Sequence, residues 1–265
     1  MFYIVMKAVK KKWLIAPIIG VLVAVLFFGI HSSLANGIVM SGIVPSGTSA
    51  NLNSLIGGGD VAYSVTMSAV DTFIGPILTP LLAKLFVGTG VHIAYFPFVW
   101  KMLRIVFLPL LTGIIIQSIF PLARIFLKSF APILSSLALY GIVLGVVSDA
   151  SDVLYRNSGI LLLVGIAVIF QVGAQMVIGF LYGKALRIDK SSCRSLVFEI
   201  GICNSALAAV LSNDVFGPLA AVAAILNMVC NLTLGGFVAS YMKRTANSRH
   251  EGYENSSTVT EVEIS

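Results

Sequence analysis

Eight apolar blocks separated by short polar stretches occupy most of the first 242 residues: Trp13–His31, Leu34–Ile56, Val61–Phe86, Phe98–Phe120, Phe130–Val147, Ile160–Tyr182, Ser195–Ser212 and Pro218–Met242. Each is close to the ~20 residues that a helix needs to cross the hydrocarbon core of a bilayer. The pattern predicts an all-α, polytopic membrane protein of about eight helices. Two blocks are interrupted. The second carries Val44-Pro45-Ser46-Gly47-Thr48-Ser49-Ala50-Asn51, and the seventh carries Glu199-Ile200-Gly201-Ile202-Cys203-Asn204-Ser205. In hydrocarbon a freed backbone group costs several kcal/mol unless it finds a partner, so irregular backbone survives only where it lines a cavity or is buried in protein. A helix kinked at Pro45 and satisfied by its neighbours is the plainer alternative. However, the interrupted blocks are each second in a triplet of spans, and the triplets start five spans apart, so they run in opposite senses. That is the layout of an inverted repeat with two broken helices crossing at the midplane.

Composition agrees. Of 265 residues 58% are apolar and 11% charged, against about 25% charged in soluble domains. This excludes a soluble enzyme, a disordered chain and a nucleic-acid-binding domain. The last 23 residues hold seven of the 28 charges, and their polar composition predicts a disordered tail. No cleavable signal peptide is visible, because the first block is long and has no small-residue cleavage site. Cys193, Cys203 and Cys230 suggest neither a disulfide framework nor a metal motif.

Basic residues set the orientation. Lys7, Lys10, Lys11, Lys12, Arg124, Lys128, Lys184, Arg187, Lys190, Arg194, Lys243, Arg244 and Arg249 fall on the side of the termini. Lys84, Lys101, Arg104 and Arg156 fall on the other. The expectation is a multi-pass protein of the cell membrane with both termini cytoplasmic.

Two carboxylates lie well inside spans, Asp71 and Glu199, and the sequence places no Lys or Arg at their depth. An intramembrane charge costs at least ~2.5 kcal/mol and marks a functional site by default. Bound sodium or a proton would neutralise them. Asn51, beside the first break, and Asn204, beside the second, supply oxygens. Ser64, Ser68 and Asp71 share one helical face at i, i+4, i+7; ordinary helix packing is the alternative for the two serines. Asn227 and Asn231 either face a cavity or pack. His31 and His92 read as interfacial, as do the aromatics Tyr95, Phe96, Phe98 and Trp100. Gly57-Gly58-Gly59-Asp60 matches the G-x-G-D string of intramembrane aspartyl proteases. Yet Asp71 lies eleven residues on, ~16 Å along one helix, so the pair cannot share a proton, and Asp60 reads as a helix cap.

At these residues the chain resembles the bile acid:sodium symporter family. Val44-Pro45-Ser46-Gly47-Thr48-Ser49-Ala50-Asn51 is similar to its P-G-G-T-A-S-N break. Gly59-Asp60-Val61-Ala62-Tyr63-Ser64-Val65 is similar to its G-D/N-V-A-L-S-V helix start, and Pro76-Ile77-Leu78-Thr79-Pro80 to its P-x-x-T-P helix end. Glu199 to Ala208 is similar to its E-x-G-x-Q-N-S-x-L-A crossover. All four stand in the family's order and spacing.

The resemblance implies a core of two inverted repeats, residues 1–97 and 159–242, a panel helix pair at 98–158, and the tail at 243–265. It implies a sodium site of Asn51, Ser64, Ser68 and Glu199, and a second that shares Glu199 with backbone oxygens at Ile200 and Ile202. The second site also needs two glutamines. Cys203 replaces one, and only apolar residues stand near Val21, where the other is expected. Ala50 replaces a frequent serine ligand. Asp71 is a departure that either compensates for a lost ligand or carries a proton. Thr48, Ser49, Asn204 and Asn231 match substrate-contact positions. The resemblance begins just before the family's third helix, so two panel helices are expected to come from a start further upstream, from a partner or second copy, or to be lost in a remnant.

The function implied is sodium-coupled symport of an organic anion (a bile acid, pantoate or a keto-acid-like monocarboxylate), with sodium as coupling ion and no organic cofactor. The alternatives are a truncated, non-transporting remnant or accessory subunit, and a proton-coupled carrier. An enzyme is not expected. Oligomeric state stays open.

Overall fold

Apolar stretches of this length satisfy their backbone in lipid as helices. The computed structural model describes residues 2–29, 32–87, 93–120 and 130–262, the last range without 131, 132, 135, 139, 142, 146, 152–154, 156 and 157; side chains are described as far as residue 245. In chain order the helices are α1 (Phe2–Phe28), α2 (Ser33–Ile43), α3 (Thr48–Ile56), α4 (Val61–Phe86), α5 (Tyr95–Ile119), α6 (Ser158–Ala185), α7 (Lys190–Gly201), α8 (Ser205–Phe216) and α9 (Pro218–Val262). Most described residues between 119 and 158 are helical as well. Helices α1, α4, α5, α6 and α9 include stretches long and apolar enough to cross a membrane. The protein is an all-α, polytopic membrane protein.

The two interrupted blocks are broken where the sequence breaks them. Residues 44–47 separate α2 from α3, and residues 202–204 separate α7 from α8. The breaks meet: Ser46 and Cys203 form an isolated antiparallel bridge, and Asn204 N donates to Pro45 O at 2.8 Å. The second break thus satisfies a carbonyl freed in the first. Gly47 permits the approach, because a Cβ there would lie 2.8 Å from Cys203 O. Gly75 lets α4 pass the first break, because its Cβ would lie 2.4 Å from Pro45 Cγ. Thr79 Oγ1 donates to Ile43 O at 2.7 Å, closing one open carbonyl at the end of α2. Gln171 Nε2 donates to Ile38 O at 3.0 Å, tying α6 to α2.

The structure corrects several expectations. Helix α1 starts at Phe2, eleven residues before Trp13. Val5, Ala8, Val9, Lys12, Trp13, Ala16 and Ile19 are buried at three- and four-residue spacing, so the buried stripe runs back through the lysine-rich stretch. Phe98 is buried in the core, whereas Phe96 and Trp100 are exposed. Helix α9 extends beyond Met242, where the eighth predicted span ends. The fifth predicted span, Phe130–Val147, and the panel segment 98–158 lie partly outside the described residues. His31, His92, Arg124, Lys128 and Arg156 lie wholly outside them.

Two apolar clusters position the site. The larger joins α1, α2, α6, α8 and α9 around Ile38, Met40, Val168, Val172, Leu211 and Ala224. The smaller packs Val5, Ala8, Val9 and Trp13 of α1 against Tyr63 and Met67 of α4 and Leu196 and Ile200 of α7. This second cluster fixes the first turns of α1 beside the crossing.

Candidate ion and substrate site

Glu199 lies in the last turns of α7 and is fully buried. Hydroxyls from two elements converge on it. Ser64 Oγ, on α4, lies 2.6 Å from Glu199 Oε1 and 2.7 Å from Asn51 Oδ1. Ser68 Oγ, one turn on, lies 3.0 Å from both carboxylate oxygens and 3.2 Å from Asn51 Oδ1. From the first break, Ser46 Oγ lies 2.7 Å from Glu199 Oε2. Ser54 Oγ donates to Ser64 Oγ at 3.1 Å.

A hydroxyl carries one proton. Ser64 and Ser68 therefore cannot each bond Glu199 and Asn51 at once, and some of these short oxygen–oxygen contacts have no proton between them. A set of hydroxyl, amide and carboxylate oxygens that is short of protons suits a hard cation. Asn51 and Ser68 are only partly buried, so the cluster has an open flank. The structure thus brings Asn51, Ser64, Ser68 and Glu199 together.

Asp71 is placed elsewhere. It is fully buried, and its Oδ2 forms an ion pair with Lys12 Nζ of α1, itself only 3% exposed. Oδ2 also accepts from Ser46 N at 3.2 Å, and Ser46 Oγ, with one proton to share, lies 2.8 Å from it and 2.7 Å from Glu199 Oε2. Trp13 Nε1 donates to Oδ1 at 2.9 Å. Asp71 was expected among the sodium ligands, with no basic residue at its depth; that expectation is corrected, since Lys12 neutralises it directly. Sequence reasoning missed Lys12 and also Ser46, whose hydroxyl bridges the two carboxylates. The buried stripe of α1 was the available signal for Lys12.

Of the residues expected at a second site, Ile200 and Ile202 are buried beside the crossing. Cys203 Sγ lies 3.2 Å from Asn227 Oδ1. Among the described residues all three cysteines are free. Asp60 caps α4, accepting from Tyr63 N at 3.0 Å.

On the other face of the crossing lies a cavity of about 190 Å³, lined by Thr48, Ser49, Asn204 and Asn231 together with Gly47, Cys203, Ser205 and Met228. Both half-helices α3 and α8 begin here, so two N-termini point their partial positive charge at one space. Asn204 caps α8 by accepting from Leu207 N at 3.1 Å. Asn231 Nδ2 donates to Cys203 O at 3.1 Å and to Ser205 Oγ at 2.8 Å, while its buried Oδ1 has no hydrogen-bond partner. Asn227 Oδ1 accepts from Ser205 Oγ at 2.8 Å, so Asn227 buttresses the break.

Outside the spans, Asp189 caps α7. Partial burial works against its charge, but the hydroxyl and amide groups of Ser191 and Ser192 outweigh it and draw the carboxyl from 3.8 to about 2.

The family model described as Sodium Bile acid symporter family matches residues 2–155. An uncharacterized sodium-dependent transporter of Bacillus subtilis, YocS, is 30% identical over 259 residues, covering 94% of this chain and 79% of its own length. The probable sodium/metabolite cotransporter BASS1 of Arabidopsis thaliana chloroplasts is 30% identical over 219 residues, covering 80% of this chain and 52% of its own. The probable sodium/metabolite cotransporter BASS2 of rice (Oryza sativa subsp. japonica) chloroplasts is 28% identical over 226 residues, covering 85% of this chain and 53% of its own. The chain thus spans about half the length of these chloroplast relatives. With a match across more than half of its residues and four motifs in register at the crossing, the chain belongs to the sodium bile acid symporter family.

Proposed function

We propose that this protein is a secondary carrier that moves a small organic anion inward with sodium across the cell membrane, its termini cytoplasmic. One observation carries the reading. A single backbone crossing has an oxygen cluster around a buried carboxylate on one side and two helix N-termini over a cavity on the other. Sodium is held by Asn51, Ser64, Ser68 and Glu199. The substrate carboxylate is held at the N-termini of α3 and α8, by Thr48, Ser49 and Asn204, with Asn231 beside them. The relatives' names, sodium-dependent transporter and sodium/metabolite cotransporter, support the coupling ion. Residues 1–97 and 159–242 act as two inverted repeats, and 98–158 as a panel beside them; the matching order of long, broken and long helices supports this.

The cavity, about 190 Å³ and open on one side, has room for the carboxylate end of a keto acid, pantoate or a bile acid, with the remainder of a larger molecule in its mouth. The test is uptake of such acids into proteoliposomes under an inward sodium gradient. Glu199→Gln keeps the shape and removes the charge, and is expected to abolish sodium-dependent uptake while the protein still inserts. Unchanged uptake by Glu199→Gln would refute the assignment.

A further inference from the structure

We propose that the Lys12 ammonium is a tethered cation that stands permanently in place of a second sodium ion, so that the carrier binds one sodium where a two-carboxylate site would bind two. The inference deepens the sodium reading of Glu199 and rests on it.

The charge count drives it. Asp71 and Glu199 are both fully buried, and the Ser46 hydroxyl lies between them, 2.8 Å from one and 2.7 Å from the other. Two carboxylates this close in a low-dielectric interior demand two positive charges, or they do not both ionise. One is already present. Lys12 pairs with Asp71, whose Oδ2 is linked to Glu199 only through the Ser46 hydroxyl. Only Glu199 is left to be balanced by a mobile cation, and the proton-poor oxygens of Asn51, Ser64 and Ser68 surround it.

The local structure holds the ammonium there. Val5, Ala8, Val9 and Trp13 pack the start of α1 into the second apolar cluster. The Trp13 ring adds a hydrogen bond to the other oxygen of Asp71 and lies 5.9 Å from the Lys12 nitrogen, within cation–π range. Lys12 cannot leave during a transport cycle as a sodium ion can.

The experiment is equilibrium binding of radioactive sodium to the purified full-length protein in choline buffer, for wild type, Lys12→Gln and Lys12→Gln/Asp71→Asn. Wild type is expected to saturate at one sodium per chain. Lys12→Gln exposes the second carboxylate and adds an amide oxygen, so bound sodium doubles to two, and its thermal stability becomes more strongly sodium-dependent than that of wild type. The double variant restores the charge balance and returns to one. A Lys12→Gln protein that still saturates at one, or a wild type that saturates at two, overturns the tethered-cation proposal while leaving sodium at Glu199 intact. A wild type that binds none defeats both. If Lys12→Gln does not fold even in high sodium, the double variant decides: one sodium sustains the proposal, and none or two overturns it.

Discussion

Gly47→Ala tests whether the crossing is the part that joins the two sites. The added Cβ would lie 2.8 Å from Cys203 O and 3.3 Å from Asn204 Cα, all backbone atoms that cannot rotate away. The two breaks must then separate by at least half an ångström. That stretches the Asn204 N to Pro45 O hydrogen bond, now 2.8 Å, beyond the usual ~3.2 Å limit. Overpacking costs about 1–3 kcal/mol, and the weakened bond costs about 0.5–1.5 kcal/mol. The total, roughly 1.5–4.5 kcal/mol, corresponds to a fall in Tm on the order of 3–18 °C for a chain of this size. Because Glu199 and Asn51 stand behind the crossing and Thr48 and Asn204 in front, sodium and anion affinities should weaken together. The assay is a thermal melt with and without sodium, paired with proteoliposome uptake. Gly236→Ala is the control. Nothing lies within 4 Å of its Cβ position, and a helical glycine replaced by alanine gains up to ~1 kcal/mol. If Gly47→Ala melts with wild type and keeps its sodium dependence, the crossing does not link the sites.

The two faces should also separate by mutation. Ser64→Ala removes an oxygen beside Glu199 and is expected to raise the sodium concentration for half-maximal uptake by roughly 10–150-fold, from the about 1.5–3 kcal/mol of a contact to a charged group; Asn231→Asp puts a negative charge at the cavity and is expected to eliminate anion uptake while leaving sodium binding within about twofold, as radioactive sodium binding would report. At Asp189 the folded carboxyl sits below its ordinary value, so its stabilising effect is present above pH ~4 and is lost as the pH falls towards about 2; Asp189→Ala, which also removes a cap worth about 0.5–2 kcal/mol, is expected to flatten that acid limb in a pH series of thermal melts.

What could be read from the sequence was whatever has a local signature. Proline and glycine inside an apolar block announce a break, and Pro45 and Gly47 mark the first one. Glu199, Gly201 and Asn204 announced the second for the same reason, as polar or flexible residues in hydrocarbon. The bounds of α4 and the capping role of Asp60 followed from a turn of glycines before an apolar run. Lys12 had no such mark. It closes a run of three lysines, Lys10 to Lys12, which reads as a solvated flank, and its partner Asp71 is 59 residues away. A buried ion pair between distant elements leaves no periodicity in either one. The clue lay in the spacing of Val5, Ala8 and Val9, which makes Lys12 part of the buried stripe of α1 and leaves Lys10 and Lys11 exposed. Ser46 was hidden differently: inside a break every small polar residue looks alike, and only the crossing selects the one that lies between two carboxylates.

The division of labour between the two buried carboxylates explains why coupling can be strong in so small a core. If Asp71 and Glu199 were both unbalanced, their repulsion across Ser46 would push α4 away from α7 whenever the ion site emptied, and the empty carrier would be costly to return. With Lys12 fixed on Asp71, emptying the site exposes one charge only, and that charge sits against Ser64 and Ser68 hydroxyls able to donate to it. On the proposed reading, sodium bound between Asn51 of α3 and Glu199 of α7 would tie together the two half-helices at the crossing, and α3 with α8, the continuation of α7, frames the anion cavity. Linkage makes this reciprocal: whatever factor sodium contributes to anion affinity, the anion returns to sodium. A carrier arranged this way holds neither solute firmly alone and both firmly together, which is the thermodynamic requirement for moving them as a pair.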